Sequence, residues 1–375
     1  MSLVRKNPKY LTSLSQIPEL DEQERNRLYP VAQKFAFRTN EYYQSLINWD
    51  DPDDPIRRLV MPDVQELEDF GAWDASEEAS YTVVQGLEHK YRDTALLLVN
   101  NICGAYCRFC FRKRLFTQEN DETINDVSEA IKYIRVHPEI NNIVLSGGDP
   151  LVMSTGKLER IIEQLAGIDH VRIIRIGSKM LSFNPFRVTG DPSLIDMVKR
   201  YRTPEKRIYL MVHFNHPREL TAESIHAIFL MQEAGAITFN QSPILRGVND
   251  RPEVIAELFG RLSSLGVVPY YLFICRPTAG NKSFIVPVEE AISILDQARA
   301  KLSGVACSAR LCMSHKSGKI EVVGKYGNQV ILRRHRLPNS RQSEVLMFPC
   351  DPTAYWLDDY FAAQETTRLS ALASA

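Results

Sequence analysis

The chain has 375 residues, enough for one large or two ordinary domains around a sizeable core. Its 45 Lys and Arg balance 46 Asp and Glu, which argues against the global basic field of a nucleic-acid or membrane-surface binder. The polar start Met1-Ser-Leu-Val-Arg-Lys-Asn-Pro, an odd cysteine count and no apolar run near the ~20 residues that span a bilayer together imply a soluble cytoplasmic protein.

Residues 1–94 read as a helical and loop-like N-terminal region, with the turn Trp49-Asp-Asp-Pro-Asp-Asp-Pro55 and an acidic stretch around 66–78. From Thr94 a regular alternation begins. Apolar strand runs fall at 95–101, 142–146, 171–177, 207–214, 237–241 and 268–275. Helix-period segments lie between and after them, near 125–137, 156–166, 192–201, 221–234, 252–265 and 287–302. Thr221-Ala-Glu-Ser-Ile reads as a capped helix start with an acid in its first turn. Such alternation implies parallel βαβ units, and six of them over 95–303 predict an incomplete (β/α)6 barrel, an α/β fold open enough for a large substrate. Reactive groups then belong at the C-terminal ends of the strands. Residues 304–375 return to a small β extension, 319–324 and 329–334 joined by the turn Tyr326-Gly-Asn328, with a tail after Gln364 expected to be disordered.

The motifs fall where this layout places reactive groups. Directly after the first strand stands Cys103-Gly-Ala-Tyr-Cys107-Arg-Phe-Cys110. Seven cysteines scattered at random would give this spacing with a chance of roughly 0.0015. A zinc site would close with a fourth ligand at similar spacing, and none follows nearby. Three thiolates suit a four-iron, four-sulfur (4Fe-4S) cluster with one iron left open for a small molecule to chelate. The second strand ends in Leu145-Ser-Gly-Gly-Asp-Pro150, where Gly147 and Gly148 let the backbone approach a ligand and Asp149 could accept from its amine.

At these residues the chain resembles the radical S-adenosylmethionine enzymes, and within them the lysine 2,3-aminomutase family. The resemblance runs from Cys110-Phe-Arg-Lys-Arg-Leu-Phe116 through Arg175-Ile-Gly-Ser178, His213-Phe-Asn-His-Pro217, Asn240-Gln-Ser-Pro-Ile-Leu-Arg-Gly-Val-Asn-Asp250 and Pro269-Tyr-Tyr-Leu272. It covers roughly residues 40–335. It implies that Cys103, Cys107 and Cys110 hold the cluster, and that Gly147, Gly148, Asp149, His213 and Gln241 bind S-adenosylmethionine. One electron from the reduced cluster would then release a 5′-deoxyadenosyl radical, which takes a hydrogen atom from an unactivated carbon. A flavodoxin or ferredoxin-type electron donor and a homo-oligomer follow from the same resemblance. Arg112 matches the arginine that holds the substrate α-carboxylate, a planar partner suited to a guanidinium fork.

Departures from the family pattern limit what carries over. Lysine 2,3-aminomutases carry pyridoxal 5′-phosphate on a lysine in a Pro-Gly-Gly-Gly-Gly-Lys loop. Here Met313-Ser-His-Lys-Ser-Gly-Lys319 keeps only the Gly-Lys end, with Lys316 a nearby rival to Lys319. The family's Arg-Tyr-x-x-x-Arg, a ring-stacking tyrosine between two phosphate-binding arginines, becomes Lys90-Tyr91-Arg92-Asp93-Thr94, so Lys90 and Tyr91 remain and Thr94 replaces the second arginine. Two aspartates that grip the distal ammonium of lysine align with Arg276 and the neighbourhood of Cys312. A guanidinium there inverts the preference, toward an amino-acid-like substrate with an anionic distal group. Two enzymatic readings follow. One is a pyridoxal-dependent aminomutase using Lys319. The other is a radical epimerase, dehydrogenase or lyase without pyridoxal phosphate, in which Cys275 or Cys312 could donate hydrogen. A non-enzymatic iron–sulfur or zinc module would differ from both in failing to cleave S-adenosylmethionine.

Overall fold

In the longer helices of the barrel region, the buried positions recur three and four residues apart, so each has one apolar face to cover. Thr155, Leu158, Ile161, Ile162 and Leu165 form that face on helix Thr155–Ala166. Asp191 caps helix Pro192–Tyr201 through Ser193 N, and Thr221 caps Ala222–Glu233 through Ser224 N. These faces pack on a curved sheet, as seen in a computed structural model that describes residues 7–117, 120–338 and 342–373.

A small ribbon, β1 (Tyr10–Leu11) with β2 (Thr39–Asn40), lies in the N-terminal region. Among the described residues, the other twelve strands form one sheet in strict chain order. They are β3 (Thr82–Val84), β4 (Leu87–Tyr91), β5 (Thr94–Asn100), β6 (Asn142–Gly147), β7 (Ile173–Ser178) and β8 (Arg207–Val212). Then come β9 (Ile237–Ile244), β10 (Val268–Ile274), β11 (Arg310–His315), β12 (Gly318–Tyr326), β13 (Gln329–Arg336) and β14 (Glu344–Pro349). From β5 to β11 every pairing is parallel, and the pairings beyond either end are antiparallel. All six expected βα units are present, and a seventh parallel strand, β11, follows them with Leu272 opposite Leu311.

Two further differences from the sequence reading have local causes. The N-terminal region contributes the β3–β4 hairpin as well as helices, with Gly86 at a positive φ in its turn. The tail after Gln364 lies in helix Leu357–Ala373, which is rich in helix formers and carries Asp358 and Asp359 in its first turn.

Among the described residues no strand pairing closes the barrel; polar contacts draw its two ends together. Lys90 Nζ donates to His315 O at 2.8 Å, and Tyr81 Oη to Lys316 O at 2.8 Å. Arg336 reaches the Asp93 carboxylate and, at 3.4 Å, Thr94 Oγ1. The concave side of the sheet, away from the flanking helices, is the barrel's chamber. Along β9, Thr238 bonds to Gln232 on a flanking helix, so Phe239 and Gln241 belong to alternating, half-buried positions that face inward.

A second core packs the N-terminal region onto the cysteine loop through Phe37, Tyr43, Leu59, Ala105 and Phe109. Backbone and charge fix the loop as well. Tyr106 N donates to Arg38 O at 2.8 Å, and Arg38 Nε returns to Cys103 O at 2.9 Å. Arg108, 2 % exposed, makes a bidentate pair with Glu66 at 2.9 and 2.8 Å, while Lys113 Nζ lies 3.5 Å from the same carboxylate. Removing a partner from such a pair leaves buried charge uncompensated, which costs about 3–5 kcal/mol. Glu66→Ala is expected to lower the unfolding free energy by about that amount in equilibrium urea denaturation. A loss below about 1 kcal/mol would show that Arg108 and Lys113 are not left as uncompensated buried charge.

Candidate active site

The loop after β5 brings Cys103, Cys107 and Cys110 together at the C-terminal mouth of the sheet. Burial, Asp149 and the neighbouring thiols push the Cys103 pKa well up, and burial does the same for Cys107 and Cys110. Three thiolates cannot coexist there without a cationic group between them, so the donor set fits an iron–sulfur cluster. Among the described residues no three His, Cys, Asp or Glu side chains converge to hold a single metal ion.

Gly147 has φ +107, and a Cβ on it would stand 2.4 Å from Asn100 O. One on Gly148 would stand 2.4 Å from Ile102 O. These glycines thus admit the backbone of the cysteine loop itself, with Gly148 N bonded to Asn100 O at 2.7 Å and Asp149 N to Ile102 O at 2.8 Å. The Asp149 carboxylate also departs from expectation. It accepts from Leu151 N at 3.0 Å, Ser178 Oγ at 3.0 Å and Lys179 N at 2.7 Å, so protein donors already engage it. Burial raises its pKa to about 6 against those three bonds.

His213 follows β8 with its ring 5.8 Å from Phe109 and its Nε2 buried without a partner. Burial and Lys179 lower its pKa to about 3, so the ring is neutral and free to bond a ligand. Lys179 is itself held by His213 O and Asn215 Oδ1 at 2.9 Å and Glu219 at 2.5 Å. Gln241 faces the same chamber from β9.

Arg112 is engaged within the protein. Its Nε and Nη2 grip Glu78 at 3.0 and 2.7 Å, and Nη1 donates to Ser146 Oγ at 3.0 Å. Burial would raise the Glu78 pKa, but Arg112 and Arg114 outweigh it and hold it at about 2. The fork expected for a substrate carboxylate therefore faces a protein carboxylate. Arg276, by contrast, has no ion-pair partner among the described residues. It donates to Ser76 Oγ and lies over the Phe111 ring at 3.9 Å, with Arg112 over the same ring at 4.7 Å. Burial lowers the Arg276 pKa to about 10 despite the Glu78 charge nearby.

Lys319 enters the chamber from β12, over the rings of Tyr271 at 4.9 Å and Phe273 at 4.5 Å. Withdrawal from water lowers its pKa to about 7; Cys312 opposes the shift, and Arg276, Arg175 and Arg336 add to it. Lys316, the rival, is exposed and paired with Glu77 at 3.4 Å. Tyr91 stands nearby with its hydroxyl buried and unpartnered. Lys90 points toward the Tyr81 ring at 4.6 Å, and burial and Arg276 lower its pKa to about 8. Cys275 and Cys312 are buried, and burial raises each thiol to about 12.

Sequence reasoning assigned no role to Glu78, Arg175, His335 or Arg336. Arg175 carried a readable signal, a lone cation alternating with isoleucines in Ile173-Ile-Arg-Ile176. Arg336 was readable by counting outward from the Tyr326–Gln329 turn, which pairs it with Lys319. Glu78 had no local signal, because its partner lies 34 residues away.

The model of the Radical SAM superfamily matches residues 97–259. A protein of Aquifex aeolicus described as "Putative L-lysine 2,3-aminomutase" is 54% identical over 95% of this chain and 96% of its own length. The L-lysine 2,3-aminomutase of Clostridium subterminale is 38% identical over 80% of this chain and 72% of its own. The glutamate 2,3-aminomutase of Clostridioides difficile is 33% identical over 82% and 72%.

A lysine at about 7 is largely neutral just above neutrality, so Lys319 should react as a free amine where ordinary lysines, near about 10.4, do not. Competitive amine labelling across pH, mapped by mass, is expected to give Lys319 a midpoint near 7, with reactivity lost as pH falls through it. A midpoint above about 9 contradicts this environment.

Proposed function

This chain belongs to the lysine 2,3-aminomutase family of radical S-adenosylmethionine enzymes, and on that premise we propose a pyridoxal phosphate-dependent 2,3-aminomutase whose substrate has an anionic distal group. The observation that carries it is one chamber holding both Lys319, a lysine with a pKa near 7, and Arg276, a guanidinium without a carboxylate partner among the described residues.

In this reading Cys103, Cys107 and Cys110 hold the 4Fe-4S cluster. Gly147 and Gly148 bring the β6 turn against the cysteine loop, and His213 Nε2 and Gln241 face the S-adenosylmethionine space. Bound together, these groups and pyridoxal phosphate would supply a carbon-centred radical and a carrier for an amino group moving between adjacent carbons. Lys319 offers its neutral amine to the pyridoxal group, and the Tyr91 ring offers it a flat face. Arg276 meets the distal anion, while Glu78 fixes Arg112 beside it. The aromatic wall of Tyr209, Phe239, Tyr270, Tyr271 and Phe273 limits water around reactive species. The electron comes from a reduced flavodoxin or ferredoxin. The named activities of the relatives, on lysine and on glutamate, show that distal charge varies within the family.

The test is anaerobic reconstitution with iron, sulfide, S-adenosylmethionine, pyridoxal phosphate and a reductant, then chromatography of products from lysine, glutamate and aspartate. A 3-amino product is expected from an acidic amino acid and not from lysine, and Arg276→Ala is expected to reduce its formation about a hundredfold. Turnover of lysine alone refutes the anionic substrate. Cleavage of S-adenosylmethionine without any pyridoxal adduct on Lys319 refutes the aminomutase and favours radical chemistry without amino migration.

A further inference from the structure

The family pattern places a second phosphate-binding arginine where this chain has Thr94, yet a guanidinium stands at that threonine. Nη2 of Arg336 lies 3.4 Å from Thr94 Oγ1 and pairs with the Asp93 carboxylate. Its guanidinium carbon is 4.7 Å from the centre of the Tyr91 ring. Arg336 comes from β13, some 240 residues further along the chain, and its Cα is the register partner of Lys319 on β12. Directly opposed residues of an antiparallel pair send their side chains to the same face, so Lys319 and Arg336 serve one space. Gly318 makes the pairing close. It has φ +139, and a Cβ on it would stand 2.2 Å from Arg336 O.

The surroundings hold more cations than anions, with Asp93 the carboxylate that meets Arg336. Lys319, Arg175 and Arg276 all bear on this space, and Cys312 stays a neutral thiol. Three buried polar atoms here have no protein partner: Tyr91 Oη and both ring nitrogens of His335. Burial, Lys319, Arg310 and Arg336 hold His335 at about 4, so it adds no charge of its own. Asp93 is the carboxylate that Arg336 meets, and it occupies Nη2. A dianionic group would satisfy both the charge excess and the unpartnered atoms.

We propose that Arg336, presented by β13 opposite Lys319, supplies the phosphate-binding guanidinium of the pyridoxal phosphate site in place of an arginine at Thr94. This inference rests on the pyridoxal-dependent reading above. The phosphate subsite is thus assembled across the seam of the open barrel, from the β4–β5 turn on one side and the C-terminal hairpin on the other.

The experiment compares pyridoxal phosphate with pyridoxal, which has the same aldehyde and no phosphate. Each is titrated into the cluster-loaded protein, followed by its absorbance and by borohydride trapping mapped to Lys319. Arg336→Gln is expected to weaken pyridoxal phosphate about ten- to a hundredfold and to leave pyridoxal within about twofold of wild type. Inorganic phosphate should compete with pyridoxal phosphate for the wild type and much less for the variant. Adding Thr94→Arg to Arg336→Gln should restore the affinity, which a misfolded variant would not allow. Equal weakening of both ligands, without rescue, assigns Arg336 a structural role and overturns the proposal. Wild-type affinity in Arg336→Gln overturns it as well while leaving the aminomutase reading intact. If wild-type protein captures neither ligand, the aminomutase reading itself fails and Arg336 falls with it.

Discussion

The chamber of this barrel is organised by cations that have not all been given anions. Arg112 and Arg114 share Glu78, but Lys319 and Arg276 make no ion pair among the described residues. Charge withdrawn from water needs a counter-charge or a shifted pKa. Lys319 takes the second course, and burial assisted by three neighbouring guanidiniums leaves it near neutrality. Burial shifts Arg276 too, to about 10, but a guanidinium at that value is still charged near neutrality and stays available. Nucleophilic amine and anion receptor are two outcomes of one electrostatic imbalance.

The other charged cluster is arranged on the opposite plan. Around the cysteine loop, Arg108 and Lys113 converge on Glu66, and Lys179 is met by Glu219, Asn215 and a backbone carbonyl. Saturated buried pairs of this kind add little net stability, but they fix positions closely, which suits a loop that must present three thiols. Asp149 belongs to this saturated class, since its carboxylate ties the β6 turn to the residues after β7. Paired charge surrounds the cysteine loop, and underpaired charge surrounds the amine.

This division also explains what the sequence could reveal. Six βα units were legible because parallel strands covered on one face by helices read as apolar runs, and because Thr221 announces its helix. Strand β11 was not, since Arg310-Leu-Cys-Met-Ser-His315 has polar ends and is followed by a hairpin instead of a helix. The cysteine loop and glycine turn are local in sequence and were legible as motifs. The engagement of Arg112 by Glu78, and of Lys90 by His315 O, joins residues 34 and 225 positions apart, and no local pattern encodes it. An arginine's type can be read from sequence, whereas its partner is set by the fold.

The C-terminal extension acquires a role from the same reasoning. Losing the glycine run ahead of Lys319 would leave its turn poorly defined unless something else held it. His315 Nδ1 bonds to Ser317 N at 3.1 Å and Oγ at 2.7 Å, and its Nε2 meets Asp358 at 3.2 Å. Asp358 lies in the first turn of helix Leu357–Ala373, which Trp356, Leu357 and Tyr360 anchor in the main core. One glycine, Gly318, is kept where φ is +139 and a side chain would strike Arg336 O. The turn thus exchanges the permissiveness of glycines for side-chain bonds to a docked helix. That exchange removes backbone freedom from the unfolded chain as well as from the folded turn. It also makes the placement of Lys319 depend on β13, β14 and the final helix, so the C-terminal extension is part of the site's construction.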